Sequence, residues 1–155
     1  MKYLVLIALT VVLPIVFGVS EAVSTGGDVI LILGKWWVFW GIGARLAGAG
    51  LMQLLNPSFT TKILGTAEPT GTELQVVREL GAANLGMGLA GLLALVQDWF
   101  VPGGLAGGVF LLIAGIMHVA KRGKGAYETL ATWTDLLVAV VYAVSVVWFT
   151  IHALS

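Results

Sequence analysis

Apolar residues run in long blocks along this chain, with no strand-like alternation and few polar interruptions. A membrane-crossing helix needs about 20 mostly apolar residues, and five segments are candidates: residues 3–19, 29–55, 76–96, 101–120 and 129–153. Strands of a membrane barrel are shorter and alternate in polarity. The expected fold is therefore an all-α integral membrane protein, a single domain over residues 1–155 with five transmembrane helices.

Two segments carry internal tension. The second is too long to stand upright, since its length corresponds to roughly 40 Å of helix against a hydrocarbon core of about 30 Å. It must tilt, bend near Gly34, Gly41 or Gly43, or begin nearer Trp36. Trp36, Trp37 and Trp40 point to a membrane interface close by, because indoles favour the headgroup level. The first segment, with Lys2 ahead of it and Pro14 within it, also resembles a signal peptide. Its run of 17 apolar residues exceeds the usual 7–15, and Val19-Ser20-Glu21-Ala22 makes a poor cleavage site, so it is expected to stay as a helix.

Composition agrees with a lipid solvent. Of 155 residues 59% are hydrophobic and only 10% charged, against about 25% in soluble domains. Eight basic and eight acidic residues give zero net charge, so there is no electrostatic footprint for nucleic acid. The absence of cysteine removes disulfides, thiolate metal sites, iron–sulfur clusters and a cysteine nucleophile. With five spans, Lys2, Lys62, Lys121, Arg122 and Lys124 fall on one side. Glu21, Asp28 and Asp98 fall on the other, and Lys35 alone is ambiguous. The positive-inside rule then puts the N-terminus in the cytoplasm and the C-terminus outside.

Small residues recur at helical spacing: Gly43-x-x-x-Ala47, Ala44-x-x-x-Gly48, Ala82-x-x-x-Gly86-x-x-x-Ala90, Gly103-x-x-x-Gly107 and Gly104-x-x-x-Gly108. Gly81, Asn84, Gly88 and Gly91 make a further face. Lipid tails give no hydrophobic reward for helix contact, so such faces mark close helix–helix approach. Gly86-x-Gly88-x-x-Gly91 spells a dinucleotide fingerprint, but without a preceding strand it is packing glycine.

Ionisable groups inside the bilayer are the candidate chemistry, because each costs at least about 2.5–3.5 kcal/mol at mid-helix and so pairs or lines a cavity. The expected cluster has Arg45 pairing with Glu79 or Asp135, with Asn84 and His118 alongside, all in the half nearest the basic loops. His118 shares a face with Gly104, Gly108, Leu111 and Gly115, pointing toward neighbouring helices. The cluster reads either as structural ion pairs or as a polar pocket; Arg78 and Glu79 could instead snorkel to the headgroups. Catalytic and cofactor-binding residues stay unassigned, and no cofactor or metal is expected: His118, Glu79 and Asp135 lack helical metal-ligand spacing, and His118 would be the sole well-placed haem ligand.

The run from Arg78 to Gly88 resembles the Glu-Leu-Gly-x-x-Asn-Leu-x-x-Gly signature of an uncharacterised group of small bacterial membrane proteins. With Gly43-Ala44-Arg45 upstream, the chain is distantly similar to the DoxX-like four-helix proteins. The resemblance covers about Trp36 to Trp148 and implies a four-helix core with the first helix outside it. Some DoxX-like members are linked to quinone-coupled sulfur oxidation. No catalytic motif matches residue by residue here, so that activity does not carry over. Three function classes follow: a non-catalytic accessory or homo-oligomeric bundle in contact with membrane lipids; a small-solute or proton transporter or channel using Arg45, Glu79 and Asp135; or a lipid or quinone site or enzyme around His118.

Overall fold

The computed structural model describes residues 1–63, 66, 68–96 and 99–154, without the Ile63 side chain. Asp98, expected among the acids of one loop, lies outside the described residues. The chain is 89% helical with no strands among the described residues. Five helices are long and apolar enough to cross a membrane: α1 Lys2–Thr25, α2 Val29–Leu55, α4 Gly71–Leu95, α5 Phe100–Ala120 and α6 Ala126–Leu154. A short α3, Pro57–Ile63, lies in the polar stretch between α2 and α4. Lys2, Lys62 and the α5–α6 turn share one end of the bundle, the basic end.

Three boundaries differ from the hydropathy reading, each for a local reason. α1 runs on to Thr25 because Glu21 is not a loop residue: its carboxylate takes hydrogen bonds from Lys35 Nζ at 2.5 Å and Trp36 Nε1 at 2.7 Å. The helix then stops at Gly26, whose φ of 64° suits a residue without Cβ. α4 begins at Gly71, five residues before its apolar run. Thr70 and Glu73 form a reciprocal capping box there, satisfying backbone donors that the apolar pattern cannot register. α6 begins at Ala126, three residues early. α2 begins at Val29, not near Trp36, because Asp28 caps it through Ile30 N at 2.8 Å and Leu31 N at 3.1 Å. α2 stops at Leu55, where Asn56 turns extended ahead of Pro57.

α2 is the centre of the bundle and packs against every other span. Gly34, Gly41 and Arg45 face α6; Val38, Ile42 and Leu46 face α5; Gly43, Ala47 and Gly50 face α4. Val38–Ala44 is wound as a π-helix, so the interruption foreseen for this long segment is a wide turn spanning Gly41 and Gly43. α2, α4, α5 and α6 form the four-helix core, its apolar centre built from Trp37, Val38, Ile42, Leu46, Leu111, Val138 and Tyr142.

α1 lies against α2 and touches α6 at its start, where Tyr3 and Tyr127 meet edge to face at 5.4 Å. Pro14 has no N–H to give Thr10 O, four residues back. The Trp37 indole donates to that oxygen at 2.9 Å, across to α1. Trp36 bonds Glu21, and Trp40 stacks near Phe17. These three tryptophans therefore fasten α1 to α2.

Glycine sets how closely α2 and α4 approach. A Cβ on Gly43 would lie 2.7 Å from Leu92 N, and one on Gly91 would lie 2.7 Å from Gly43 N. One on Gly50 would lie 2.5 Å from Leu85 N. In α5, Gly104 and Gly108 admit the Tyr142 ring, whose hydroxyl donates to Val101 O at 2.7 Å. Among the described residues Gly48 and Gly86 meet nothing within 4 Å, so the Ala44/Gly48 and Ala82/Gly86 pairs turn outward.

Candidate functional site

Arg45 sits ten residues before Leu55, about 15 Å of helix from the basic end of α2. Asp135 sits nine residues into α6, about 13 Å from the same end. Antiparallel packing of α2 on α6 brings these depths level, and Arg45 Nη2 donates to Asp135 Oδ1. The side chains are 13% and 6% exposed, so the ion pair is well inside the bundle. Arg45 Nη1 is buried and has no acceptor among the described residues.

Two of the other expected cluster members, Glu79 and Asn84, lie elsewhere. Glu79 is exposed and accepts a hydrogen bond from Gln75 at 3.0 Å on its own helix. Arg78 is exposed beside it. The reason is the stagger of α4 on α2: Asn84 lies level with Gln53, two residues from the end of α2, so the first turns of α4 project beyond it. Glu79 and Arg45 are thereby several turns apart along the bundle axis.

Asn84 is 4% exposed and donates through Nδ2 to Gln53 Oε1 at 2.8 Å. This second buried polar contact joins α2 to α4, as the ion pair joins α2 to α6. Gln53 is absent from the expected cluster, yet it follows Gly43, Ala47 and Gly50 at helical spacing on one face, and that spacing is the sequence signal for its contact with α4.

His118 is one-third exposed near the basic end, and its Nδ1 lies 3.4 Å from Glu128 Oε1. Lys121 Nζ holds the same oxygen at 2.7 Å. Lys124 folds back onto His118 O at 2.6 Å, capping the last carbonyls of α5. Two of the three basic residues in this turn are thus committed to structure. Among the described residues no three His, Asp or Glu side chains converge on a metal-sized space. A hollow of about 220 Å³ lies between α3 and α4, lined by Thr61, Thr66, Thr72, Glu73, Val76 and Val77. None of the expected cluster residues lines it.

At the opposite end, Asp28 joins α2 to α6. Its Oδ1 caps α2, and its Oδ2 accepts from Trp148 Nε1 at 2.7 Å. The Trp148 bond above all, then the Leu31 and Ile30 N–H groups, hold the Asp28 carboxyl below the usual aspartate value against the opposing effect of burial. A carboxylate with a depressed folded pKa stabilises the fold above its unfolded value, about 3.9, and the contribution is lost as pH falls through the folded value. Asp28→Asn, which retains a cap, is therefore expected to melt lower than the parent at pH 7. The difference should close in acid, below the folded value. A gap in melting temperature that widens toward acid would contradict this assignment.

No family model, curated protein or solved structure matches this chain.

Proposed function

We propose that this protein is a non-catalytic bundle of the bacterial inner membrane, an accessory or oligomeric subunit, with its N-terminus in the cytoplasm and its C-terminus outside. The observation that carries this reading is the Arg45–Asp135 pair: its two charges are spent on each other, between helices that need fastening. An intramembrane charge serving a solute needs a free partner group or an open path. Here the pair is followed toward the opposite end by Val38, Ile42 and Val138, each fully buried. The outward small-residue pairs on α2 and α4 supply surfaces where another helix can approach closely. The orientation rests on the basic residues at one end, and Lys35, the ambiguous one, is neutralised by Glu21.

Two measurements test this. Native mass spectrometry from nanodiscs is expected to show a homo-oligomer or a stoichiometric complex, and a lone monomer at all loadings would remove the subunit reading. Because the chain has no cysteine, Ser24→Cys and Arg122→Cys report topology without background. In intact cells an impermeant maleimide should label the first and not the second; the reverse pattern would invert the orientation.

A further inference from the structure

The Arg45–Asp135 pair has different surroundings on its two sides. Toward the opposite end stand Val38, Ile42 and Val138 at 0% exposure and Leu111 at 2%. Toward the basic end stand polar groups in steps. A Cβ on Gly115 of α5 would lie 3.5 Å from Asp135 Cβ, so the two positions are level. His118 is three residues farther along the same face, about 4.5 Å nearer the basic end. Glu128, in contact with His118, is two turns below Asp135 on α6. The sequence from the headgroup level inward is therefore Glu128, His118, Asp135 and Arg45.

The pair itself is incompletely satisfied. Arg45 uses Nη2 on Asp135, while the buried Nη1 has no acceptor among the described residues. A buried guanidinium donor is costly unmatched, and a small polar species such as water is the chemistry that matches it. We propose that Asp135 is a proton-binding group served from the basic end through His118, with water or hydronium as its ligand. In the transfer an O–H bond of a hydronium ion breaks, leaving water, and an O–H bond forms on Asp135 Oδ2, the oxygen Arg45 does not hold; His118 positions the water that carries the proton. The charged groups facing Asp135 are Arg45 from α2 and His118 from α5. On α6 itself Glu128 lies two turns below. α1 reaches α6 near Tyr127, where Lys2 stands 4.8 Å over the ring. The ion pair that fastens α2 to α6 is thereby also sensitive to protons from one side.

The chain has three aspartates, Asp28, Asp98 and Asp135. Carboxyl-labelled ¹³C-aspartate in an Asp28→Asn/Asp98→Asn background therefore reports Asp135 alone by infrared spectroscopy. After a rapid drop in pH in detergent micelles, the carboxylic acid band should rise. His118→Gln should slow that rise tenfold or more, and added imidazole should restore it, a rescue that a merely structural role would not show. His152→Gln, at the other end, should leave the rate unchanged. The proposal is overturned if His118→Gln rises at the parental rate, if imidazole fails to rescue a slowed variant, or if His152→Gln slows it equally. It is also overturned if no Asp135 band appears before the helical circular dichroism signal is lost.

Discussion

Asp135→Ala is expected to destabilise the protein by about 3–5 kcal/mol, because it leaves the Arg45 guanidinium charged, buried and unpaired. Arg45→Ala should cost a similar amount by stranding the carboxylate. The paired replacement Arg45→Met with Asp135→Leu removes both charges and should recover most of the loss, since apolar groups of similar volume avoid desolvation altogether. Glu79→Ala should stay within about 0.5 kcal/mol, as befits an exposed side chain bonded, among the described residues, only to Gln75. Unfolding in mixed micelles, followed by circular dichroism, measures all four. A loss in the paired variant equal to the sum of the two single losses would show that Arg45 and Asp135 act separately.

The second large effect lies at the α2–α4 crossing. Gly91→Leu places a side chain where even a Cβ would be 2.7 Å from Gly43 N, and backbone cannot rotate aside. The expected cost is about 2–3 kcal/mol or more, at the upper end of overpacking penalties, and Gly43→Leu should match it. Gly86→Ala meets nothing within 4 Å among the described residues, and should gain up to about 1 kcal/mol from helix propensity. Melting temperatures in one detergent decide between these signs. A Gly91→Leu protein as stable as the parent would mean that α2 and α4 are not packed glycine to glycine. Loss of oligomer in Gly86→Leu, with the monomer fold intact, would locate the outward pair in a subunit contact.

Much of the architecture is local, and therefore readable from residue order. Five apolar runs define five spans because hydrocarbon demands that backbone polar groups be satisfied within each segment. Gly43, Ala47, Gly81, Gly88 and Gly91 mark close packing for a similar reason: spacing of three or four residues collects them on one side of a helix. Even Arg45 and Asp135 are conspicuous as charges in apolar runs, before any contact is known.

The pairing of those charges is not local. Arg45 could meet Glu79 or Asp135 as far as spacing goes, and only the stagger of α4 on α2 and the level packing of α2 on α6 separate them. Glu21 and Asp28 read as loop acids, yet in the fold they accept from Trp36 and Trp148. Gln53 passes unnoticed until α4 brings Asn84 beside it. Span count, packing faces and the suspect charges are thus properties of the chain taken segment by segment. Which charge answers which depends on axial register between helices. That register is set by where glycine backbones can touch, and only the assembled bundle contains that information.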